Sequence, residues 1–293
     1  MKPGRLVFDP RRMISYICLN AGRPGVFLSA RRLYGSASAG WPGDRRTVHL
    51  LKTVFHIHTD YSDDSDNTIE HLLDAAGRLG VHALAVTDHD TIDGARQLAA
   101  RAPRGLKVIV GQEISTAGGH LIGLFLREPI APGLSPRATA RDIRRQGGLV
   151  VAPHPFNTIF SCGLREAVYD ILDLIDIVEI SNAQNLLPWP NRRSQRFAAR
   201  YSFPAIVGSD THHRDSLCSC YQLMPLFDGP AAFLASLGRA VLATGRHPLG
   251  YFARSALVIA RSRLGLPTAD YGRNCTTSRT GHLLQPNPIP LHQ

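Results

Sequence analysis

The sequence has few of the residues that form covalent cross-links or membrane spans. Its five cysteines, at positions 18, 162, 218, 220 and 275, are odd in number and irregularly spaced, so they predict no disulfide framework. No apolar run approaches the roughly 18 residues that a membrane-spanning helix needs. We therefore expect a protein without disulfides or transmembrane segments, and the reducing cytoplasm is its default location.

Acidic residues are scarce relative to basic ones, because the formal net charge is +10. The excess is uneven: residues 1–48 contain eight arginines and only two acidic residues. A basic tail alone is a weak indication of nucleic-acid binding. Arginine and proline interrupt any hydrophobic region at the start, so a secretory signal is not predicted. An organellar transit peptide, a misassigned start codon and a disordered basic extension all remain open for residues 1–48.

Residues 49–245 read as one α/β domain, because short apolar runs alternate with helical patterns. The runs are dense in Val, Ile and Leu, as strands covered on both faces tend to be. Seven runs qualify as strands: "VHLLKTVFHI", "ALAVTD", "LKVIVGQEI", "HLIGLFL", "GLVVAPH", "IDIVEIS" and "PAIVGSD".

Helix signals fall between the runs. Thr68 and Gly80 bracket one helix, and Ser135 followed by Pro136 begins another that runs to Gln146. "LREAVYDILDLI", "NRRSQRFAARY" and "PAAFLASLGRAVLATG" predict three more. Residues 246–269 predict a peripheral helix that packs on the domain, with a membrane surface as the minor alternative. The polar, Pro-rich residues 270–293 predict a disordered tail.

Histidines and acidic residues cluster where the predicted strands end. His56 and His58 flank Ile57, so the two-residue period of a strand puts both imidazoles on one side. Asp210 and His212 flank Thr211 in the same way. The C-terminal ends of the parallel strands in a closed barrel meet at one face. Imidazole and carboxylate groups on such a face are the ligands of a borderline divalent metal.

Each of these residues alone fits an ordinary structural role, but together they favour a metal cluster. Burying so many ionisable groups without metal or partners would cost several kcal/mol for each unpaired charge. The residues include His89 after the second strand, Glu113 in the third and His154 after the fifth. His120 is the exception, because it opens its strand rather than ending it.

The ordered motifs carry a family resemblance. "HIHTDYSDD", "AVTDHDTIDG", "GQEIS", "GHLIGLF", "APHP" and "GSDTHH" resemble the motifs of the polymerase-and-histidinol-phosphatase (PHP) domain family, in particular its stand-alone metal-dependent phosphoesterases. The resemblance covers roughly residues 49–245. It implies a distorted seven-stranded (β/α)7 barrel with a metal site at the C-terminal face of the strands. It also implies two or three divalent ions, for which manganese, iron and zinc fit about equally.

The resemblance implies a set of residue roles. Glu113 is the expected bridging carboxylate, and Asp63 is taken as a ligand although Ser62-Asp63-Asp64 stands where relatives have Ser-Asp-Gly. Asp88 and Asp90 are expected to orient the His89 imidazole from outside the metal shell. The full set of expected metal ligands is His56, His58, Asp63, His89, Glu113, His120, His154, Asp210 and His212.

The implied chemistry is attack of a metal-activated water on a phosphate ester. Within that centre His154, His212 and Asp210 are the expected catalytic residues, and His154, His212 or the adjacent His213 would protonate the leaving group. For substrate binding we expect Asn182, Arg192, Arg193 and Arg214. The alternative for the arginines is an ordinary solvated surface.

We therefore expect a metal-dependent phosphoric ester hydrolase acting on a small metabolite, a nucleotide or an oligonucleotide end, without a stable protein partner. A histidinol-phosphate-type phosphatase is one alternative. A non-catalytic module that binds nucleic acid or a partner through its basic tails is another. Hydrolysis of a carbon–nitrogen bond is disfavoured, because no predicted strand ends in a lysine and Lys107 begins its strand.

Overall fold

A computed structural model of the 293-residue chain describes residues 50–158 and 163–263, with side chains up to residue 257. The basic segment 1–48 and the C-terminal tail 270–293 lie outside the described residues, so their predictions remain predictions. None of the helices in the described part of the chain is long and apolar enough to cross a membrane.

Seven strands close into a barrel, as the sequence predicted. In spatial order the sheet runs from β1 to β7, and β1 closes it by pairing with both β2 and β7. All seven predicted runs form strands. Their bounds are β1 Leu50–Ile57, β2 Ala83–Val86, β3 Lys107–Thr116, β4 Gly119–Leu124, β5 Leu149–Ala152, β6 Ile177–Asn182 and β7 Ala205–Thr211.

β4 runs antiparallel to both of its neighbours, β3 and β5, whereas the other barrel pairs are parallel. A tight hairpin joins β3 to β4, so no crossover helix separates them. Because β4 is reversed, its first residues lie at the rim where the other strands end. His120 therefore reaches that rim by opening its strand, which accounts for its exceptional position in the sequence.

Two further strands extend the sheet beyond the barrel. β8 (Tyr221–Pro225) pairs antiparallel with the first half of β1, and β9 (Val241–Ala243) pairs with β8. The sequence pattern missed both. The segment "PAAFLASLGRAVLATG", predicted as one helix, instead forms a helix over Gly229–Leu237 followed by β9, with Gly238 at the helix end.

The remaining helices cover the barrel. The predicted caps of the first and third are present: Thr68 accepts a hydrogen bond from the His71 backbone, and Ser135 accepts one from Ala138. The segment at Arg165–Ile171 forms a 3₁₀ helix. The α-helices are α1 Ile69–Leu79, α2 Asp93–Arg101, α3 Pro136–Arg145, α4 Pro188–Tyr201, α5 Gly229–Leu237 and α6 Leu249–Arg263.

Apolar side chains fill the barrel interior at the end opposite the polar rim. Phe233 of α5 is fully buried there and packs its ring 5.5 Å from Phe55 and 5.1 Å from Phe227, measured between centroids. Helix α5 thus closes one end of the barrel. Only the other end, where the strands finish in polar residues, is left to form a site.

Two glycines give a matched test of this packing. A Cβ at Gly111 in β3 would lie 2.8 Å from the Gly123 carbonyl oxygen, so Gly111→Ala should destabilise the fold by about 1–3 kcal/mol. A Cβ at Gly77 in α1 would have no neighbouring atom within 4 Å, so Gly77→Ala should stabilise the fold by about 0.5–1 kcal/mol. Urea denaturation would measure both free energies of unfolding. Equal effects of the two substitutions would contradict the packing described for β3.

Candidate metal centre

The first strand turns its histidines inward by a break in its pleat. Val54 packs outward against α1 and Phe55 packs inward, so a regular pleat would put His56 outside. Instead His56 has a left-handed backbone, with φ of 61°, and the pairing of β1 shifts register around it. This bulge brings both His56 and His58 to the inside and sends Ile57 outward. The two histidines lie on the same side of β1, as predicted, and the bulge places that side inside the barrel.

Glu113 is the hub of the polar cluster, because its two carboxylate oxygens face different histidines. Oε2 lies 3.2 Å from Nε2 of His56 and 3.4 Å from Nε2 of His58. Oε1 lies 3.0 Å from Nδ1 of His120 and 2.9 Å from Nε2 of His154. The carboxylate is almost fully buried. Oε2 also lies 3.3 Å from Nδ1 of His89, so one side chain contacts imidazoles of all three sets of donor atoms.

Asp210 completes the first set from β7. Its Oδ1 lies 3.5 Å from Nε2 of both His56 and His58. We call His56, His58, Glu113 and Asp210 the first group. We call Glu113, His120 and His154 the second group.

A third set lies beside the first. Oδ2 of Asp64 is 3.3 Å from Nε2 of His212 and 3.5 Å from Nε2 of His89. We call Asp64, His89 and His212 the third group; their ligand atoms and that of His58 all lie within 4.8 Å of one another. Asp63, the residue expected from the resemblance, is instead exposed. With no glycine at position 64, the loop directs the second of its two aspartates inward.

The donor atoms of the three groups are of the kinds that bind divalent metal ions. Nε2 of His58 is buried, faces Glu113 and Asp210, and has no hydrogen-bond partner within the described residues. An unpaired buried donor of this kind is costly unless something else binds there. All donors are imidazole nitrogens or carboxylate oxygens, which suits manganese, iron or zinc. The number and identity of the ions are part of the proposal below.

The electrostatics of the cluster favour the binding of positive charge. Burial acts to raise the pKa of the Glu113 carboxyl, but the imidazoles of His56, His120 and His89 hold that pKa well below its usual range. Burial acts to lower the pKa of His89, yet Glu113 and Asp64 raise it to about 10. The carboxylates are therefore ionised at neutral pH. Bound metal ions would take the place of the protons that imidazoles with a raised pKa, such as His56 and His89, otherwise hold.

Glu179 of β6 supports the cluster from behind and was missed by the sequence reasoning. Its Oε1 lies 2.9 Å from Nδ1 of His56, and its Oε2 accepts a hydrogen bond of 2.6 Å from the His154 backbone. Gly208 leaves the space, because a Cβ there would lie 1.6 Å from Oε1 of Glu179. The available signal was an acidic residue in the middle of the apolar run "IDIVEIS".

Asn182, expected to bind substrate, also lies behind the cluster. It is fully buried, and its amide donates to Oδ2 of Asp210 at 2.8 Å and to Oε2 of Glu179 at 3.0 Å. The structure therefore gives Asn182 a part in orienting Asp210.

Asp88 and Asp90 organise backbone segments rather than the His89 ring. Asp88 accepts hydrogen bonds from the Thr59 backbone at 2.6 Å and from the Ser62 hydroxyl at 3.0 Å. Asp90 accepts one from the Ser115 backbone at 2.8 Å. The two side chains thus fix the loop after β1 and the end of β3. We expected Asp88 and Asp90 to select the tautomer of His89, and the structure instead shows them bonded to these two segments.

The expected substrate-binding arginines differ in their surroundings. Arg193 pairs with Glu166 at 2.8 Å and covers the Phe156 ring. Arg192 is exposed, and both residues lie in the second turn of α4, which begins at Pro188. Arg214 is also exposed and donates to the Asp66 carbonyl at 3.3 Å. Of the three, Arg193 fits the solvated-surface alternative best.

His213 points away from the three groups. Its Nε2 lies 3.1 Å from the Ser255 hydroxyl, and its ring packs against Tyr251 of α6. This position removes His213 as a proton donor at the cluster.

The exchange of Asp63 for Asp64 can be tested with adjacent substitutions. Asp64→Ala should lower the number of tightly bound divalent ions per chain by one, because it removes a carboxylate from the third group. Asp63→Ala, at an exposed carboxylate one residue away, should leave metal content unchanged. Metal analysis by mass spectrometry after dialysis would compare them, and loss of an ion from the Asp63 variant alone would contradict the assignment.

Comparison with known proteins places the chain in a family. The sequence profile of the PHP domain matches residues 55–185, and a profile described as PHP-associated matches residues 188–242. The uncharacterised protein MJ1587 of Methanocaldococcus jannaschii is 40% identical over 144 residues, which are 45% of this chain and 82% of the relative.

Two further comparisons differ in how much of each chain they cover. Phosphoribosyl 1,2-cyclic phosphate 1,2-diphosphodiesterase of Eggerthella lenta is 39% identical over 89 residues, 27% of this chain and 32% of that protein. The crystal structure of PsfC from Pseudomonas syringae has a TM-score of 0.53 at 16% identity, over 74% of this chain and 98% of PsfC, and is similar in fold. The chain belongs to the PHP domain family, which confirms the resemblance and with it the prediction of a metal-dependent hydrolase.

Proposed function

We propose that this protein hydrolyses phosphate esters at a centre of three divalent ions held by the first, second and third groups. The observation that carries the proposal is the convergence of the three groups at one barrel rim, with Glu113 shared between two of them. In this proposal Asp64 takes the ligand role expected of Asp63, and the other eight expected ligands keep theirs.

The residues of the chain would act mainly by positioning. Bound divalent ions supply a water of lowered pKa and positive charge for the phosphoryl oxygens. Glu113 would contribute one oxygen to each of the first two groups, and Glu179 holds His56 with Nε2 directed inward. Asn182 directs Asp210 toward the same point. These supports are buried, so little reorganisation is needed during reaction.

His154, His212 and Asp210 are proposed to act as ligands rather than as acids or bases. Nε2 of His154 faces Glu113 and its Nδ1 is buried. Nε2 of His212 faces Asp64, and its Nδ1 lies 2.8 Å from the Gln184 amide. Neither ring leaves an exposed nitrogen for the leaving group. The leaving group would then take its proton from solvent rather than from either ring.

The proposed substrates are small phosphorylated metabolites, nucleotides or oligonucleotide ends. The relative from Eggerthella lenta is named for a phosphodiesterase reaction on a phosphoribosyl compound, which supports this class over histidinol phosphate only by analogy. Arg214 is the arginine best placed to meet a second phosphate, since it follows β7 beside the third group. A non-catalytic module is disfavoured because the donor atoms of all three groups are retained. We propose a cytoplasmic location, which the free thiols of Cys218 and Cys220 suit.

Substitution at the shared carboxylate tests catalysis directly. Glu113→Gln should reduce hydrolysis of p-nitrophenyl phosphate and bis(p-nitrophenyl) phosphate in manganese by at least about 100-fold, because it weakens two metal groups at once. Glu166→Gln, at an exposed glutamate paired with Arg193, is the matched control and should keep full activity. Undiminished turnover by the Glu113 variant would end the proposal.

A substrate panel tests the specificity. Nucleoside monophosphates, nucleoside 3′,5′-bisphosphates, short RNA and histidinol phosphate should differ in kcat/KM, with the nucleotide compounds highest.

Arg214→Gln should raise KM for the bisphosphate about tenfold and change KM for the monophosphate little, because only the bisphosphate offers a second anion. The best turnover on histidinol phosphate, or equal effects of Arg214→Gln on both nucleotides, would count against the assignment.

A further inference from the structure

Helix α6 belongs to no βα unit of the barrel, yet it packs on the metal rim. Tyr251 in its first turn is only 6% exposed, and its ring stacks on the His247 imidazole with centroids 3.8 Å apart. The rest of the helix is more open: Leu249 and Leu257 are 79% and 59% exposed. The buried part of α6 is therefore the part that faces the end of β7.

The Tyr251 hydroxyl joins the backbones of two rim residues. It donates a hydrogen bond of 3.0 Å to the Asp210 carbonyl and accepts one of 3.1 Å from the His212 amide. Asp210 needs such support, because its φ of 49° is left-handed, a conformation that is strained for a non-glycine residue. The hydroxyl therefore acts as a donor to one backbone group and as an acceptor from another.

Two further side chains hold the same carbonyl. Nε2 of Gln184 donates to the Asp210 carbonyl at 3.0 Å, and Nε2 of His247 lies 3.3 Å from it. A carbonyl oxygen only accepts, so Nε2 of His247 must carry the proton, and its Nδ1 accepts from the Ser219 hydroxyl at 2.8 Å. Tyr251, Gln184 and His247 together determine the direction of the Asp210 peptide.

Helix α6 also reaches the segment that carries Asp64. Arg254 pairs with the carboxylate of Asp66 at 2.5 Å, and that carboxylate is buried. The Asp66 amide in turn donates to the His212 carbonyl at 2.9 Å. The loop after β1 and the end of β7 are thus tied to each other and to one helix. These two segments provide Asp64 and His212, two of the three residues of the third group.

The second group is built differently. The side chains of His120 and His154 both bond to Glu113, and the His154 amide bonds to Glu179. These contacts run among β3, β4, β5 and β6. Within the described residues none of them involves α6. A change in α6 should therefore reach the third group and leave the second intact.

We propose that α6 is a positioning element for the third metal group, in which Tyr251 and Arg254 hold His212 and Asp64 at the spacing that a divalent ion requires. The inference rests on the metal centre of the proposed function. Its consequence is reciprocal: docking of α6 tightens binding at the third group, and an ion bound there stabilises the docked helix to the same extent. The second group, which has no contact with α6 within the described residues, binds its ion with α6 docked or displaced, whereas the first group shares the support of Tyr251 through Asp210.

The test measures metal binding without any phosphate ester. Tyr251→Phe keeps the ring and removes only the hydroxyl, so it should weaken manganese binding about tenfold or more at the third group, and also at the first group through Asp210, as loss of a ligand-supporting partner typically does. Arg254→Gln should weaken the ion of the third group. Manganese per chain would be measured by mass spectrometry after dialysis against graded free manganese. Tyr201→Phe, at an exposed tyrosine of α4, is the matched control and should bind all three ions as wild type.

Hydrogen exchange tests the reciprocal half. Manganese should slow amide exchange in residues 249–257 of the wild-type protein and have no such effect in Asp64→Ala, whose third group is incomplete. Three ions bound with wild-type affinity by both Tyr251→Phe and Arg254→Gln would overturn the inference, as would α6 exchange indifferent to manganese. If the Tyr251 variant does not fold, Arg254→Gln decides alone. A wild-type chain that binds no manganese would instead refute the metal centre itself, and absent phosphoesterase activity would leave these measurements valid.

Discussion

The site depends on keeping an ionised carboxylate inside the barrel. Glu113 is surrounded by imidazoles on both of its oxygens, and this local positive potential outweighs the cost of removing its charge from water. The His56 imidazole is in turn held by Glu179, which also accepts a hydrogen bond from the His154 backbone amide. The arrangement leaves the negative charge of the buried carboxylates unbalanced unless protons or cations are bound. The same residues therefore matter both for the folded state and for binding cations.

The backbone around the site departs from regular geometry where the donors require it. His56, His154 and Asp210 all have positive φ, although none is glycine. At His56 and Asp210 the departures lie opposite each other on paired strands, where the register between β1 and β7 shifts. Strain of this kind persists only where surrounding contacts determine the conformation. Here those contacts are the buried hydrogen bonds of Glu179 and Tyr251.

Much of the fold and most of the donor residues follow from the sequence, because both rest on local patterns. The seven apolar runs all form strands, and the polar residues at their ends meet at one rim, since parallel strands share a direction. The choice between Asp63 and Asp64 was not accessible in this way, because a loop has no period to read. Tyr251 lies 41 residues from Asp210 in sequence, and no local signal connects them. β9 was hidden because its three residues lie at the flank of a predicted helix, and β8 was hidden because it has only five residues and ends in proline.

The reversed direction of β4 has a consequence for how the site forms. Glu113 and His120 are seven residues apart and belong to a single hairpin, with Ser115 directly opposite His120. Contacts that are close in sequence lose little loop entropy when they form. This pair can assemble as soon as its own two strands meet, before the chain that contains Asp210 has joined the sheet. Two of the three residues of the second group therefore belong to one hairpin, and closure of the barrel brings His154 to them.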